Sequence, residues 1–527
     1  MLFVTVVMTA LYLSAAWFAL RHYIHMFQLN SYKPKVQIQW IKKNTKLWFN
    51  ICMLWIGVFL LIYSLYSPAL GKLGYVLWIA TWATHLAAMT IPNLPKKSYK
   101  IPLKYTMRIK RLFSTLCIIY LLPIIALFIT KREFTCMAVY LLMICLTPWL
   151  VLLANLINRP LELAINKWYI NDAKRILREC PNLTVVGITG SFGKTSVKYF
   201  LDELLSVKFN VLKTPGNFNT PLGVVKTIRG ELRATHDIFL CEMGAKNVGD
   251  IKEICDIVHP KHGIITSVGP MHLESFGSIE NVKKTKFELA DSLPEGGILA
   301  LNMDDENVRE CSKGRVFVGY GVDSREGYYC ENLTISSTGS EFDVVSPSGE
   351  RCRYKTKLIG RHNAINICGA VAMANQLGIE LADLKPAVRR LESVPHRLEL
   401  KQNGGVTIID DAYNSNPSGA KAALETLAMM DGYKILCTPG MIELGEREDE
   451  LNREFGRQAA VCDFVALVGK KQTAAIYEGL KAEGYPEERI YVADGLSDAM
   501  QKIYSLTTDG KKKIILLEND LPDNYGG

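Results

Sequence analysis

Residues 183–205 read LTVVGITGSFGKTSVKYFLDELL: an apolar, β-branched strand runs into a glycine-rich turn and then into a helical pattern. This text constrains the fold more than any other in the chain. A turn that wraps phosphate needs a strand end and a helix start held on either side of it. Gly190 and Gly193 let the backbone curl so that successive N–H groups and the helix N-terminus point at phosphate oxygens. Lys194 supplies a cation and Thr195 a hydroxyl for magnesium, while Ser191, Phe192 and Ser196 complete the loop. The general phosphate-loop pattern asks for glycine five residues before Gly193, where this chain has Ile188. After residue 405 strand and helix patterns alternate: VTIID, helix 418–430, YKILCT, helix 449–461, FVALVG, helix 472–483, RIYVA, a helix, then KKIILLE. That alternation predicts a Rossmann-like domain, and without GxGxxG it need not bind a dinucleotide.

The front of the chain is a different material. Five runs, at 2–20, 47–66, 74–91, 112–130 and 135–157, are apolar and long enough to span about 30 Å of hydrocarbon. Residues 1–160 hold seventeen Lys or Arg and one acid, Glu133, whereas the remainder has 44 basic and 51 acidic residues. The basic charge alternates between loops. Loops 21–46 and 92–111 are rich in it, and the second and fourth loops carry only Lys72 and the Lys131, Arg132, Glu133 cluster. Basic loops stay on the cytoplasmic side, so the expectation is a multi-pass protein of the bacterial cytoplasmic membrane. Its N-terminus is outside, the lipid bilayer is its partner, and everything after residue 157 is cytoplasmic. A cleaved signal peptide over 1–20 is the rival reading, but no positive segment precedes the apolar run. Residues 158–180 form an amphipathic stretch, read either as lying on the membrane surface or as a plain connecting helix. The net charge of +9 comes from loops between apolar runs, which argues against a nucleic-acid partner. Thirteen cysteines without a CxxC pair read as reduced thiols, not as a zinc site or a disulfide frame.

The turn fits TGxxGKT, and further segments follow it: TPGNFNTPLGV (214–224), CEMGA (241–245), HLESFGS (272–278) and VKKTKFE (282–288). GRHNAINICGA (360–370), PHRLE (395–399) and DDAYNSNP (410–417) come next. In this order the text resembles the Mur ligases across about residues 183–470, most of all the branch that adds D-alanyl-D-alanine to a muramoyl tripeptide. The resemblance implies an α/β chain with a P-loop central domain at 183–399 and a Rossmann-like C-terminal domain at 400–527. Ahead of these lie an all-α transmembrane region at 1–160 and an amphipathic linker at 161–182.

The implied activity is an ATP-dependent carboxylate–amine ligase that acts through an acyl-phosphate and uses two Mg2+ ions. Joining two anions requires cations to screen them, which is the task of Lys194 and the metals. Glu242, at the carboxyl end of the predicted strand HDIFLCEMG, suits hard magnesium, and its bland reading is a solvated strand-end acid. By resemblance His272 ligates a second ion, although histidine is an uncommon magnesium ligand. Lys286, on an expected helix 280–291, matches a lysine that carbon dioxide carbamylates. Its neighbours Lys283 and Lys284 read as surface charges. Asn363 and Asn366 resemble adenine-contacting positions, with helix capping the alternative for Asn363. Arg397 matches a phosphate contact and Asp411 a ribose contact, made when the domains close. Asn217, Asn219 and Thr220 match the acceptor loop, while Tyr413, Asn414, Asn416 and Pro417 match the cleft side of the third domain.

Two departures bear on substrates. Soluble Mur ligases open with a domain that grips a uridine nucleotide, and five apolar runs stand in its place here. Near the C-terminus the related branch has a Lys-Gly-Ser motif, whereas this chain reads LLENDLPDNYGG, with Glu518 and Asp520 in place of a cation. The expected acceptor is therefore a lipid-linked or membrane-associated carboxylate, and the donor an amino acid or dipeptide, in peptidoglycan-precursor or related cell-envelope synthesis. A membrane polyglutamate-type synthetase and a non-enzymatic ATP-gated sensor or transporter are the competing readings. Transporters commonly carry charged residues inside their helices, and these runs contain none, with His85 the one deep titratable group.

Overall fold

The computed structural model of the chain describes residues 2–44, 53–58, 60, 72–91, 102–130, 132–336, 339–394, 397–403, 405–412, 416–442 and 444–520. The chain divides into two compact units, with the boundary between Lys167 and Trp168.

The described residues of the first unit are helical over Leu2–Leu29, Pro34–Asn44, Lys72–Thr90, Met107–Thr130 and the start of Glu133–Arg178. Among them, Met107–Leu127 and Thr135–Arg178 are long and apolar enough to cross a membrane, and Val76–Thr90 is a shorter apolar helix. Polar side chains join these helices through backbone carbonyls. Tyr12 Oη donates to Tyr120 O at 3.1 Å, and Trp82 Nε1 donates to Met137 O at 2.8 Å. The Tyr12 ring stacks on Tyr140 at 4.1 Å. Near one end, Arg111 holds the buried Glu162 with two hydrogen bonds of 2.6 and 2.9 Å.

Two helix extents differ from the sequence reading. The first helix does not stop near residue 20 but continues to Leu29, because RHYIHMFQL keeps helical periodicity after hydropathy falls. The run at 135–157 and the amphipathic linker are one helix, Glu133–Arg178, with Pro148 and Pro160 inside it. A drop in hydropathy marks a change of surroundings and not a helix end. The expected run at 47–66 lies mostly outside the described residues.

The second unit is built on two sheets. The larger contains β1 (Thr184–Thr189), β2 (Val211–Lys213), β3 (Ile238–Glu242), β4 (His262–Ile265), β5 (Leu299–Asn302), β6 (Val318–Gly321), β7 (Tyr328–Ser336), β8 (Gly339–Val345) and β9 (Arg351–Thr356). Their order is β2-β3-β1-β4-β5-β6-β7-β8-β9. The strands are parallel from β2 to β7, and β8 and β9 close the far edge as antiparallel hairpins. Helices cover both faces, which is why β3 and β4 are buried at every position. On one face Phe200, Leu201 and Leu204 of helix Lys194–Leu205 share a core with Ile367 and Val371 of helix Arg361–Gln376. On the other, Ile228, Ile254 and Leu289 come from helices Pro221–Glu231, Asp250–Val258 and Ile279–Asp291. Each such side chain contributes roughly 1.5–3 kcal/mol, so the strand ends form a rigid platform.

The direction of winding reverses at β1. Its neighbours β3 and β4 are aligned so that Ile188 faces Glu242 and Thr189 faces Ile265. The carboxyl ends of three adjacent strands thus lie side by side at the switch point, the place where α/β sheets bind ligands.

The smaller sheet contains β10 (Glu399–Asn403), β11 (Val406–Asp411), β12 (Tyr433–Thr438), β13 (Phe464–Val468), β14 (Ile490–Ala493) and β15 (Lys513–Glu518), ordered β10-β11-β15-β12-β13-β14. The five expected strands and their helices are present. Sequence reading missed β10, an antiparallel edge strand beside β11. Its text, ELKQN, has no apolar alternation, because an edge strand exposed to water needs none.

Candidate active site

The turn after β1 is held from below by the loop after β4. Ser191 N donates to Ser267 O at 2.7 Å, Phe192 N to Ser267 Oγ at 2.9 Å, and Ser191 Oγ to Gly269 O at 3.1 Å. Two glycines are required. Gly190 has φ 149°, and a Cβ there would meet Thr266 Oγ1 at 2.0 Å. Gly193 has φ 80°, and a Cβ there would meet Asn366 Oδ1 at 2.7 Å. The second contact also places Asn366 against the loop.

Lys194 folds back over this turn, donating to Gly190 O at 2.6 Å and Ser191 O at 3.0 Å. Its pKa is lowered to about 8, chiefly by loss of water, with Glu242 partly offsetting this and Arg397 adding to it. The ammonium is therefore half-titrated near pH 8 in the free protein, and a phosphate bound beside it would restore the proton. The sign follows. ATP affinity is expected to hold below pH 8 and to fall up to about tenfold per unit above it, with proton uptake on binding near pH 9. Calorimetry in buffers of different ionisation enthalpy measures that uptake. The same group makes the empty protein more stable as pH rises from 8 toward the unfolded value, since only the unfolded chain then keeps the proton.

Glu242 is the hub, with 1% of its surface exposed. Its Oε1 accepts from Thr195 Oγ1 and from Asn219 Nδ2, both at 3.1 Å. Its Oε2 pairs with Lys198 Nζ at 2.9 Å, and Lys198 is itself fully buried. Burial works against the charged carboxylate, but Lys198 and then Lys194 outweigh it, and its pKa lies below the ordinary glutamate value. Sequence reading missed Lys198 altogether. The available signal was a lysine one helical turn beyond Lys194, flanked by Val197, Phe200 and Leu201, where a solvated charge would not belong.

Lys286, on helix Ile279–Asp291, is buried at 2% exposure. Desolvation first, then the charge of Lys194, push its pKa well below the usual lysine value. His272 heads the short helix Leu273–Phe276 with a left-handed backbone, φ 52°. Arg397 is half-buried and acts electrostatically on Lys194 and on Asp411. Asp411 ends β11 opposite Glu518 of β15, accepts from Leu398 N at 3.1 Å, and has its pKa raised, chiefly by burial.

Other expected site residues have local tasks. Asn363 Nδ2 donates to Ile359 O at 2.8 Å. Thr220 caps helix Pro221–Glu231, and Asn416 caps helix Pro417–Ala428. Asn217 O accepts from Asn219 N at 2.8 Å, which shapes the loop that delivers Asn219 to Glu242. Ser196 is half-buried in the first turn after Lys194. Tyr413 and Asn414 lie outside the described residues.

A glycine-rich turn with Lys194, Thr195 and Glu242 at the switch point of a mostly parallel sheet, followed by a Rossmann-like sheet, is the framework of an ATP-dependent ligase that joins an acid to an amine. Comparisons with known proteins agree. Residues 188–374 match the Mur ligase middle domain, and residues 396–517 match the Mur ligase glutamate ligase domain. The chain is 32% identical over 337 residues to the UDP-N-acetylmuramoyl-tripeptide--D-alanyl-D-alanine ligase of Escherichia coli (strain K12), covering 61% of this chain and 74% of that protein. The solved MurF structure from Acinetobacter baumannii superposes with a TM-score of 0.62 at 25% identity, covering 68% and 78% of the two chains. MurF of Thermotoga maritima, solved in complex with ADP, gives 0.61 at 26% identity, covering 68% and 81%.

The chain belongs to the Mur ligase family.

Proposed function

We propose that this protein is a membrane-anchored Mur-type ligase of peptidoglycan-precursor or related cell-envelope synthesis. It activates an acceptor carboxylate with ATP and joins it to an amine. The observation that carries the reading is the set Lys194, Thr195, Asn219 and Glu242, converging on the carboxyl ends of β1 and β3. The Mur ligase matches at 188–374 and 396–517 support reading 183–399 as the ATP-binding domain and 400–527 as the donor domain. The two apolar helices and the basic loops support a multi-pass membrane region over 1–160, with the N-terminus outside and catalysis in the cytoplasm.

An acceptor carboxylate oxygen attacks the γ-phosphorus, the bond to the β-phosphate oxygen breaks, and ADP leaves. The amine nitrogen then attacks the acyl carbon, inorganic phosphate departs, and the amine loses a proton. Gly193, Lys194, Thr195 and Ser196, where the turn enters the helix, offer backbone N–H groups to the triphosphate, and Lys194 swings from Gly190 O and Ser191 O to the reacting phosphate. The Thr195 hydroxyl and Glu242 Oε1 are hard oxygen donors 3.1 Å apart, a set that fits magnesium. Bound there and at a second position by His272, magnesium would neutralise charge that builds on the phosphates. Lys286 would complete this wall as a carbamate. Its buried site and Lys194 favour the neutral amine, the form that adds carbon dioxide. Asn363 and Asn366 would face adenine, Arg397 the phosphates and Asp411 the ribose. Asn217, Asn219 and Thr220 would meet the acceptor, and Tyr413, Asn414 and Asn416 the donor.

The helices fused to the catalytic unit favour a lipid-linked or membrane-associated acceptor. Acidic Glu518 beside Asp411 favours an amino acid or dipeptide donor other than that of the D-alanyl-D-alanine ligases. Detergent-solubilised protein is expected to release ADP from MgATP only when a membrane extract supplies acceptor. Equal release with a water-soluble uridine-linked muramoyl peptide would count against the lipid-linked acceptor. A screen of L- and D-amino acids and dipeptides in the same assay identifies the donor, and strict dependence on glutamate would mark a polyglutamate-type synthetase.

A further inference from the structure

Helix Lys194–Leu205 carries two lysines, and the ligase chemistry gives a task to only the first. The second, Lys198, has none of its surface exposed. An ammonium is retained in such a place only when charge and hydrogen-bond partners compensate for lost water. Lys198 has both: Glu242 Oε2 at 2.9 Å and Gly216 O at 2.7 Å.

The two edges of the Glu242 carboxylate are therefore divided. Oε2 belongs to Lys198, and Oε1 faces Thr195 Oγ1 and Asn219 Nδ2 at the start of the nucleotide helix. The same ammonium, through Gly216 O, fastens the loop that carries Asn217, Asn219 and Thr220. This loop is also pinned by Gly244 N to Asn219 O at 2.7 Å and by Glu242 N to Thr214 Oγ1 at 3.1 Å.

We propose that Lys198 is a positioning residue and internal counter-ion. It turns Glu242 Oε1 toward the nucleotide and keeps the magnesium position closed to free divalent cations until a triphosphate arrives. The inference rests on the proposed assignment of Glu242 as a magnesium ligand. Its basis is charge balance at short range. With Lys198 in place the Glu242 pair presents no net negative charge to an incoming dication, and Lys194 adds a positive charge nearby. Triphosphate supplies the missing negative charge, so metal and nucleotide enter together. With a neutral side chain at 198 the carboxylate stands uncompensated, and a dication becomes its best counter-ion.

Manganese, visible by electron paramagnetic resonance, is the probe. The full-length solubilised protein is titrated with Mn2+ at pH 8 without nucleotide. Wild type and K198R are expected to bind weakly, whereas K198M and K198Q gain about tenfold or more in affinity for one ion. Adding E242Q to K198M removes the gain. Equal Mn2+ affinity in wild type, K198R and K198M overturns the inference. Should K198M fail to fold, K198Q, which keeps a donor for Gly216 O, carries the comparison. Failure of the underlying assignment reads differently: E242Q alone would then leave MgATP turnover unchanged. An inactive E242Q together with unaltered Mn2+ affinity in K198M and K198Q sinks only the role given to Lys198.

Discussion

Lys194→Ala is expected to lower kcat/KM for ATP by about a thousandfold while leaving the fold intact. The size follows from what the ammonium does. A preorganised donor aimed at developing charge is worth about a hundred- to a thousandfold when removed, and here the donor also carries a full charge between two anions. The fold survives because, among the described residues, the Lys194 ammonium hydrogen-bonds to two carbonyls of its own turn, Gly190 O and Ser191 O, and its side chain is half-buried at the turn. ADP release followed against ATP concentration reads the effect, and a thermal midpoint near that of wild type confirms that chemistry was lost. Turnover within tenfold of wild type would mean that Lys194 does not screen the reacting groups, and the ligase mechanism on this turn would have to be abandoned.

The second large effect is on stability. Glu242→Ala leaves Lys198 fully buried with its carboxylate partner gone, and breaking a buried pair from one side costs about 3–5 kcal/mol. Against a typical total of about 5–15 kcal/mol that is a severe loss. The double variant Lys198→Met with Glu242→Gln removes both charges at similar volume, so it should regain most of the stability and still show no turnover. Thermal unfolding of Lys198→Met, Glu242→Gln and the double variant, against wild type, forms the cycle. A strongly negative coupling energy, with the double variant far more stable than the sum of the singles predicts, is the expected outcome. Simple additivity would show that the two side chains do not depend on each other.

Much of this site is legible along the chain because its parts are local. The strand, turn and helix anticipated at 183–205 are observed as β1 and helix Lys194–Leu205, and the helix anticipated at 280–291 as Ile279–Asp291. Periodicity and glycine placement suffice for such elements, since each is stabilised by contacts a few residues apart. The strand end bearing Glu242 is legible for the same reason. Lys198 is not. Its meaning depends on β3 lying beside β1 in one register, which brings a carboxylate to it from a distant stretch of chain. Thr266, Ser267 and Thr214 were missed likewise, as small hydroxyls become loop anchors only when the strands are side by side. The antiparallel edge at β7 to β9 and the strand β10 also escaped, because polar, two-sided strands carry a weak pattern.

By itself the sequence determined the glycine-rich turn, the alternation of strands and helices, and the apolar and basic front, and with the family resemblance it marked Lys194, Glu242 and Lys286 as candidate site residues. Only the tertiary structure decided which of them act together: that Glu242 is shared by Thr195, Asn219 and Lys198, that Lys286 is buried within the field of Lys194, and that one helix runs from Glu133 to Arg178. The physical reason is range. Backbone conformation answers to neighbours in the chain, whereas the protonation and pairing of a buried charge answer to whatever the packed sheet brings within a few ångströms.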